Sequence, residues 1–102
     1  MEQFDIYLNP IKTGRKRFPY VCLLQNKLFD SFATRIVAFV SSDESISFDK
    51  INDPITISSK KFFVCLNLIA SIEASRLQEF VENISDNREA LLAAHDALFI
   101  GI

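Results

Sequence analysis

The sequence predicts a mainly β protein that ends in a single α-helix. Three observations lead to this fold class: apolar and polar side chains alternate at residues 4–8, two later segments are rich in aromatic and aliphatic residues, and residues 86–100 carry apolar groups at helical spacing. A chain of 102 residues, 49% of them hydrophobic, can bury one modest core. We therefore expect residues 1–102 to form one domain.

Five strands are predicted before the helix. In residues 4–8, Phe, Ile and Leu occupy every second position, which is typical of a half-buried strand. Residues 20–25 and 35–40 are apolar on both faces and are expected to be central strands covered on each side. Residues 55–57 and 62–69 are predicted to be two further strands joined by a polar turn at 58–61.

Residues 72–84 carry two patterns at once. The first part alternates, as a strand does, whereas the second part has apolar residues at helical spacing and by itself favours a helix. The residues with helical spacing are Leu77, Phe80, Val81 and Ile84.

The terminal helix is predicted to run from about Asp86 to Ile100. Asp86 followed by Glu89 has the spacing of a capping box, and Gly101 is suited to end the helix. The apolar stripe consists of Leu91, Leu92, Ala94, Leu98 and Phe99.

Charge and cysteine content restrict the class of protein. The net charge of −2 gives the whole molecule no general attraction to nucleic acid or anionic lipid. Cys22 and Cys65 lie 43 residues apart in apolar runs, so we expect buried thiols, although spacing alone does not exclude a disulfide. The N-terminus lacks a signal-peptide pattern and no apolar run reaches membrane-spanning length, so a cytoplasmic protein is expected.

Two loops stand out. Four of the eleven basic residues, Lys12, Arg15, Lys16 and Arg17, fall within six positions. This basic loop is either a solvated connection or a binding site for an acidic partner segment or RNA. In the next connection, Leu28 and Phe29 stand side by side before Asp30, an unusual place for two large apolar groups unless something covers them.

Catalytic and cofactor motifs are weak. His95 is the single histidine, which argues against a transition-metal site, and adjacent His95 and Asp96 are expected to point about 100° apart on a helix, which argues against a Ser-His-Asp site. Two glycines provide no phosphate-binding loop, so no cofactor is expected. Acid–base cleavage of RNA would have to draw on Asp5, Arg15, Arg17, Asp30 and Arg35.

Taken in order, several short motifs resemble the CcdB family of bacterial toxins. They are QFDIY at residues 3–7, RFPYVCLLQNKLFD at 17–30, RIVAFV at 35–40, ASIEASRLQEFVENIS at 70–85 and the closing ALFIGI. The resemblance spans nearly the whole chain. It also favours a strand at residues 72–77, against the helical spacing that begins at Leu77.

The resemblance implies an SH3-like β-barrel of the CcdB/MazF type, with an antiparallel sheet, a small wing sheet and a C-terminal helix, assembled as a homodimer. It implies a toxin of a type II toxin–antitoxin module, plasmid- or chromosome-encoded, that poisons DNA gyrase and is not itself an enzyme. Its partners would be the gyrase A subunit and a CcdA-like antitoxin, with DNA met only through them.

The resemblance also implies the binding residues. Contacts with gyrase are expected from Leu28, Phe29, Asp96, Phe99, Ile100, Gly101 and Ile102. Contacts with the antitoxin are expected from Arg15, Arg17, Ser42, Asp43 and Ile46. Ile100 stands where the best-known members carry Trp.

Two alternatives remain at the level of sequence. A MazF-type endoribonuclease toxin would share the fold and use the basic loop on RNA. A degenerate chromosomal copy would bind antitoxin but poison gyrase weakly, as Ile100 in place of Trp suggests.

Overall fold

The computed structural model describes residues 1–46 and 52–101. These residues form a strongly curved, nearly closed barrel-like sheet with one C-terminal helix, which confirms the predicted fold class. The strands are β1 (Asp5–Leu8), β2 (Tyr20–Leu23), β3 (Thr34–Ser41), β4 (Asn52–Ile57), β5 (Lys60–Glu73) and β6 (Phe80–Asn83), and the helix is α1 (Arg88–Phe99).

The described strands form one antiparallel sheet in the order β4-β5-β3-β2-β1-β6. The small wing expected as a separate sheet is the β4–β5 end of this same sheet, because β5 pairs with β4 and β3 at once. Ala38 of β3 pairs with Ile69, but its neighbour Phe39 pairs with Cys65, so residues 66–68 form a bulge. Such a bulge bends a strand and lets the sheet curve. The polar turn between β4 and β5 is confirmed, with Ser58 and Ser59 at positive φ.

The central strands bury both of their faces, as their composition predicts: because side chains alternate along a strand, Val21 and Cys22 of β2 enter different apolar clusters on opposite sides of the sheet. The prediction that β1 is half-buried is wrong, because Ile6 packs in the larger cluster and Tyr7 in the smaller one. The larger cluster is closed by Leu91 and Ala94 of α1. The smaller cluster is closed by Leu77 from the connection after β5.

The helix suggested by the spacing of residues 77–84 is wrong. The chain forms a 3₁₀ turn at Ala74–Arg76 and then β6. Leu77 packs in the smaller cluster and Ile84 in the larger one, so the apolar spacing serves two cores and not one helix face. The strand expected to continue to residue 77 ends at Glu73, and β5 joins the segments predicted separately at 62–69 and from 72 onward.

The start of the terminal helix differs from the prediction, whereas its end agrees. Ser85–Asn87 is a 3₁₀ turn, and the N-cap residue of α1 is Asn87, whose side chain makes no capping hydrogen bond, so the capping box at Asp86 is wrong. At the other end, Gly101 has φ +81°. The amides of Ile100 and Gly101 both donate to the carbonyl of Asp96, at 2.8 and 3.0 Å, and this arrangement ends the helix.

The cysteine prediction is confirmed: Cys22 and Cys65 are buried thiols that no disulfide joins. Within the described ranges, no helix is long and apolar enough to cross a membrane. The same residues contain no cluster of His, Cys, Asp or Glu suited to a metal ion.

Candidate protein-interaction surface

The loop between β2 and β3 presents apolar side chains to solvent. Asn26 begins a 3₁₀ turn at Lys27–Phe29 because its side-chain oxygen accepts a hydrogen bond from the amide of Leu28 at 2.9 Å. In this 3₁₀ turn the Leu28 side chain points outward, with 84% of its surface exposed, and Phe29 is about half-exposed. The structure thus confirms that these two residues lie uncovered, as their position before Asp30 suggested.

The sequence reasoning missed a third apolar residue in this loop. Phe32 is 58% exposed, and its ring centroid lies 5.8 Å from that of Phe29. The signal was present in the sequence, since Phe32 is a large apolar residue in an otherwise polar stretch. We call Leu28, Phe29 and Phe32 together the apolar loop.

Arg35 holds the apolar loop from beneath. Its side chain is only 8% exposed, and the guanidinium donates to the backbone carbonyls of Asp30, Thr34 and Phe32, the first at 2.7 Å and the second at 3.0 Å. Its Nε also lies 3.5 Å from Asp30 Oδ1. Several hydrogen bonds from one buried cation fix the loop backbone while its apolar side chains stay in solvent.

Two ion pairs join the N-terminus to the same loop. The α-amino group of Met1 lies 3.9 Å from Asp30 Oδ2, and Lys27 Nζ lies 2.8 Å from Glu2 Oε1. The hydrogen bond and charge of Lys27 lower the pKa of Glu2. The Lys27–Glu2 pair is exposed, so it orients the loop more than it stabilises the fold, whereas the Met1–Asp30 pair is partly buried.

The end of α1 presents the second apolar group. Phe99 is about half-exposed, and Ile100 is 62% exposed. His95 packs on Phe99 with ring centroids 4.8 Å apart, and its Nδ1 lies 3.2 Å from Asp96 Oδ1. The expectation that His95 and Asp96 diverge is therefore wrong, because the two flexible side chains fold toward each other across the helix surface. Within the described chain, no serine hydroxyl is hydrogen-bonded to His95. Ile102 lies outside the described residues.

A groove of about 410 Å³ lies between the helix end and the sheet. Phe99, His95 and Leu92 line it from the helix. Gln25 lines it from the connection after β2, and the same Gln25 side chain donates to the carbonyl of Phe29 at 3.0 Å. The side chains of the apolar loop are not among the lining residues, so the predicted gyrase residues form two exposed apolar groups, with Gln25 between the loop and the groove.

Three of the residues expected to contact the antitoxin, Arg17, Ser42 and Asp43, lie near one another in a second place. The Ser41 hydroxyl donates to the carbonyl of Arg17 at 2.8 Å and accepts from the amide of Asp43 at 3.1 Å. This joins the basic loop to residues 41–43, where Ser42 and Asp43 are exposed. Hydrogen bonds from Ser45, with a smaller contribution from the charge of Arg17, lower the pKa of Asp43. Ile46 ends the 3₁₀ turn Glu44–Ile46, and its side chain lies outside the description.

Two grooves flank the basic loop, and the sequence pointed to neither. One, of about 470 Å³, is apolar and is lined by Arg17 together with Ile11, Phe18, Phe39, Leu68 and others. The other, of about 340 Å³, is polar and is lined by Lys12, Arg15 and Arg76, with Glu79 among its neighbours. Arg15 is held in place by a hydrogen bond from its Nε to the carbonyl of Asn9 at 2.6 Å.

The residues suggested for RNA cleavage have other roles. Asp5 is buried and accepts hydrogen bonds from the amide of Glu2 at 2.8 Å and from Asn83 Nδ2 at 2.9 Å. Burial first, and then the nearby charge of Asp5, raises the pKa of Tyr7. Arg35 is buried beneath the apolar loop. Neither Asp5 nor Arg35 is exposed to a bound RNA, so this set does not form an accessible acid–base site.

Comparison with protein families places the chain. A model of the family described as CcdB protein matches residues 3–101, nearly the whole chain. No curated protein matches the chain.

Proposed function

Because the chain belongs to the CcdB family, a family of toxins from toxin–antitoxin modules, we propose that it binds the A subunit of DNA gyrase and traps the gyrase complex in which DNA is cleaved. The observation that carries the proposal is the exposure of large apolar side chains at both predicted places, Leu28 with Phe29 before β3 and Phe99 with Ile100 at the end of α1. Monomeric proteins rarely leave large apolar groups together in solvent unless a partner covers them.

The proposed mechanism is differential binding. A toxin that binds the cleaved-DNA state more tightly than the religated state shifts gyrase toward cleavage by its difference in affinity. Moving that equilibrium from 1:99 to 99:1 takes about a 10⁴-fold preference. In this mechanism the chain makes and breaks no bonds, and gyrase performs all the chemistry.

We propose a homodimer as the active form. Half-exposed Ile36 on β3 and Ile69 on β5 face the groove beside Phe99 of α1, and these apolar groups lie on the same side as the helix end. A second copy covering them would bring two helix ends together about a two-fold axis. The doubled apolar tip would then match the two-fold symmetry of the gyrase A subunits.

We propose that a CcdA-like antitoxin binds at the basic loop through Arg15, Arg17, Ser42, Asp43 and Ile46. An acidic segment that also carries apolar side chains suits this place, because cationic side chains line one flanking groove and apolar ones line the other. A nucleic acid backbone is charged and would make no favourable contacts in the apolar groove. This surface therefore favours the antitoxin over the RNA substrate of the endoribonuclease alternative.

The test combines purified chain with purified DNA gyrase and supercoiled or relaxed plasmid. We expect supercoiling to fall and cleaved DNA to accumulate, and we expect a variant lacking Gly101 and Ile102 to lose both effects while unfolding at the same temperature as the parent chain. A labelled RNA in a parallel reaction should stay intact.

Each of the other possible results would change the function or the site assigned to this chain. Cut RNA with unaffected gyrase would establish the endoribonuclease. Binding to the antitoxin without growth arrest on expression would establish a degenerate copy. A truncated chain that still poisons gyrase would contradict the placement of the site at the helix end.

A further inference from the structure

Phe32 is not one of the predicted gyrase residues, although it is among the most exposed large apolar side chains of the described residues. Its ring packs beside that of Phe29, with centroids 5.8 Å apart and planes inclined at 39°. The two rings therefore present one continuous aromatic surface that Leu28 extends. Aromatic side chains of this kind are enriched at protein interfaces.

The backbone that carries Phe32 is fixed before any partner arrives. Arg35 donates to the carbonyl of Phe32 itself and to those of Asp30 and Thr34. Asn26 and Gln25 secure the other arm of the loop, through the amide of Leu28 and the carbonyl of Phe29. A rigid loop loses little conformational freedom on binding, so its apolar side chains can contribute more to affinity.

Phe32 also offers an aromatic side chain in addition to the one at the helix end. Of the two exposed residues that end α1, Phe99 is aromatic and Ile100 is aliphatic. Gln25 lies between the apolar loop and the groove that Phe99 lines, because its side chain lines that groove and donates to the carbonyl of Phe29.

We infer that Phe32 is a further gyrase-contacting residue, which supplies from the loop an aromatic contact that Ile100 does not supply from the helix. The inference rests on the proposed function, since it takes the gyrase A subunit as the partner. Arg35 is the positioning residue: it touches the loop backbone and not the partner.

The test is Phe32→Ala measured against Phe80→Ala. Phe80 is a matched control, since it is 57% exposed and its ring lies 5.9 Å from that of Tyr7, but it belongs to β6. Removing the Phe32 ring leaves the Arg35 anchor in place, because Arg35 binds the backbone carbonyl. We expect the dissociation constant for the purified gyrase A subunit to rise about tenfold or more for Phe32→Ala and less than about threefold for Phe80→Ala.

Calorimetric titration gives the dissociation constants, and sedimentation and thermal unfolding report assembly and folding of each variant. Unchanged affinity of Phe32→Ala, or equal losses in both variants, would overturn the inference while leaving the proposed function standing. Loss of self-association in Phe32→Ala alone would also overturn it, by assigning Phe32 to contact with a second copy. Failure of the unsubstituted chain to bind gyrase would overturn the proposed function itself.

Discussion

Arg35 shows how far a single residue can depart from its sequence interpretation. In the sequence it is one of several charged groups available for acid–base chemistry. In the structure it is buried and donates to the carbonyls of Asp30 and Phe32 in the loop before β3 and to that of Thr34 at the start of β3. The buried guanidinium stabilises the loop backbone, because each buried carbonyl left without a hydrogen-bond donor would lower the free energy of unfolding by about 1–3 kcal/mol.

Ile100 is the residue at which gyrase affinity should be easiest to raise. It is well exposed and makes up the helix tip with Phe99, so a larger ring can be placed there without repacking the core. Ile100→Trp restores the aromatic face that the family pattern carries, and we expect tighter gyrase binding by about 2 kcal/mol, or roughly 30-fold in dissociation constant. Titration of the gyrase A subunit with both proteins measures this change.

Ile100→Leu is the control for Ile100→Trp, since it keeps an aliphatic group and should leave affinity nearly unchanged. If Trp gives no gain over Leu, the helix tip does not contact gyrase in the way proposed.

At the scale of elements, the basic loop and the connection after β3 act as one unit. The Ser41 hydroxyl links them by hydrogen bonds to Arg17 and Asp43. The apolar loop is a separate element that Arg35 anchors from β3. Because separate elements carry the two surfaces, substitutions can address antitoxin and gyrase binding independently.

Reversing two charges in the basic loop should weaken the antitoxin complex selectively. We expect Arg15→Glu with Arg17→Glu to raise the dissociation constant for the CcdA-like antitoxin on the order of tenfold at low salt, because acidic groups of the antitoxin would meet like charges. Gyrase binding, which depends on the apolar surface, should change much less. Parallel titrations with both partners at two salt concentrations measure the effect.

Lys60→Glu with Lys61→Glu is the matched control, since it makes the same change in net charge at the exposed start of β5. Equal losses for both partners in the Arg15 and Arg17 variant would contradict the assignment.

Val64→Asp is the control for loss of folding. It places an unpaired charge at a fully buried position and should remove binding to both partners.

At the scale of the whole molecule, the two faces of the sheet have different roles. Both are covered by apolar clusters near the centre, yet the groove beside α1 leaves Ile36, Ile69 and Phe99 partly exposed. A single copy therefore leaves an incompletely covered surface, and self-association would complete it.

Ile36→Glu should give a monomer. We expect the unsubstituted chain to sediment as a dimer at micromolar concentration and Ile36→Glu to sediment as a monomer, since a charge placed opposite its own symmetry mate would lose its water without gaining a partner. Phe80→Glu, at an equally exposed site on β6, should stay dimeric. A dimer that survives Ile36→Glu would place the interface elsewhere, and a monomer before substitution would remove the proposed two-fold tip.

The amino-acid sequence determined the fold class, the central strands, the glycine that ends α1 and the exposure of Leu28 and Phe29. These follow from local patterns: alternation along a strand, backbone freedom at Gly101, and apolar residues in a polar stretch. The tertiary structure alone decided that residues 80–83 form a strand, that Phe32 packs beside Phe29, and that Gln25 lies between the apolar loop and the groove beside α1. Those features depend on contacts between segments far apart in the chain, which local residue spacing does not specify. Leu77 and Ile84, for example, have helical spacing but pack in two different apolar clusters.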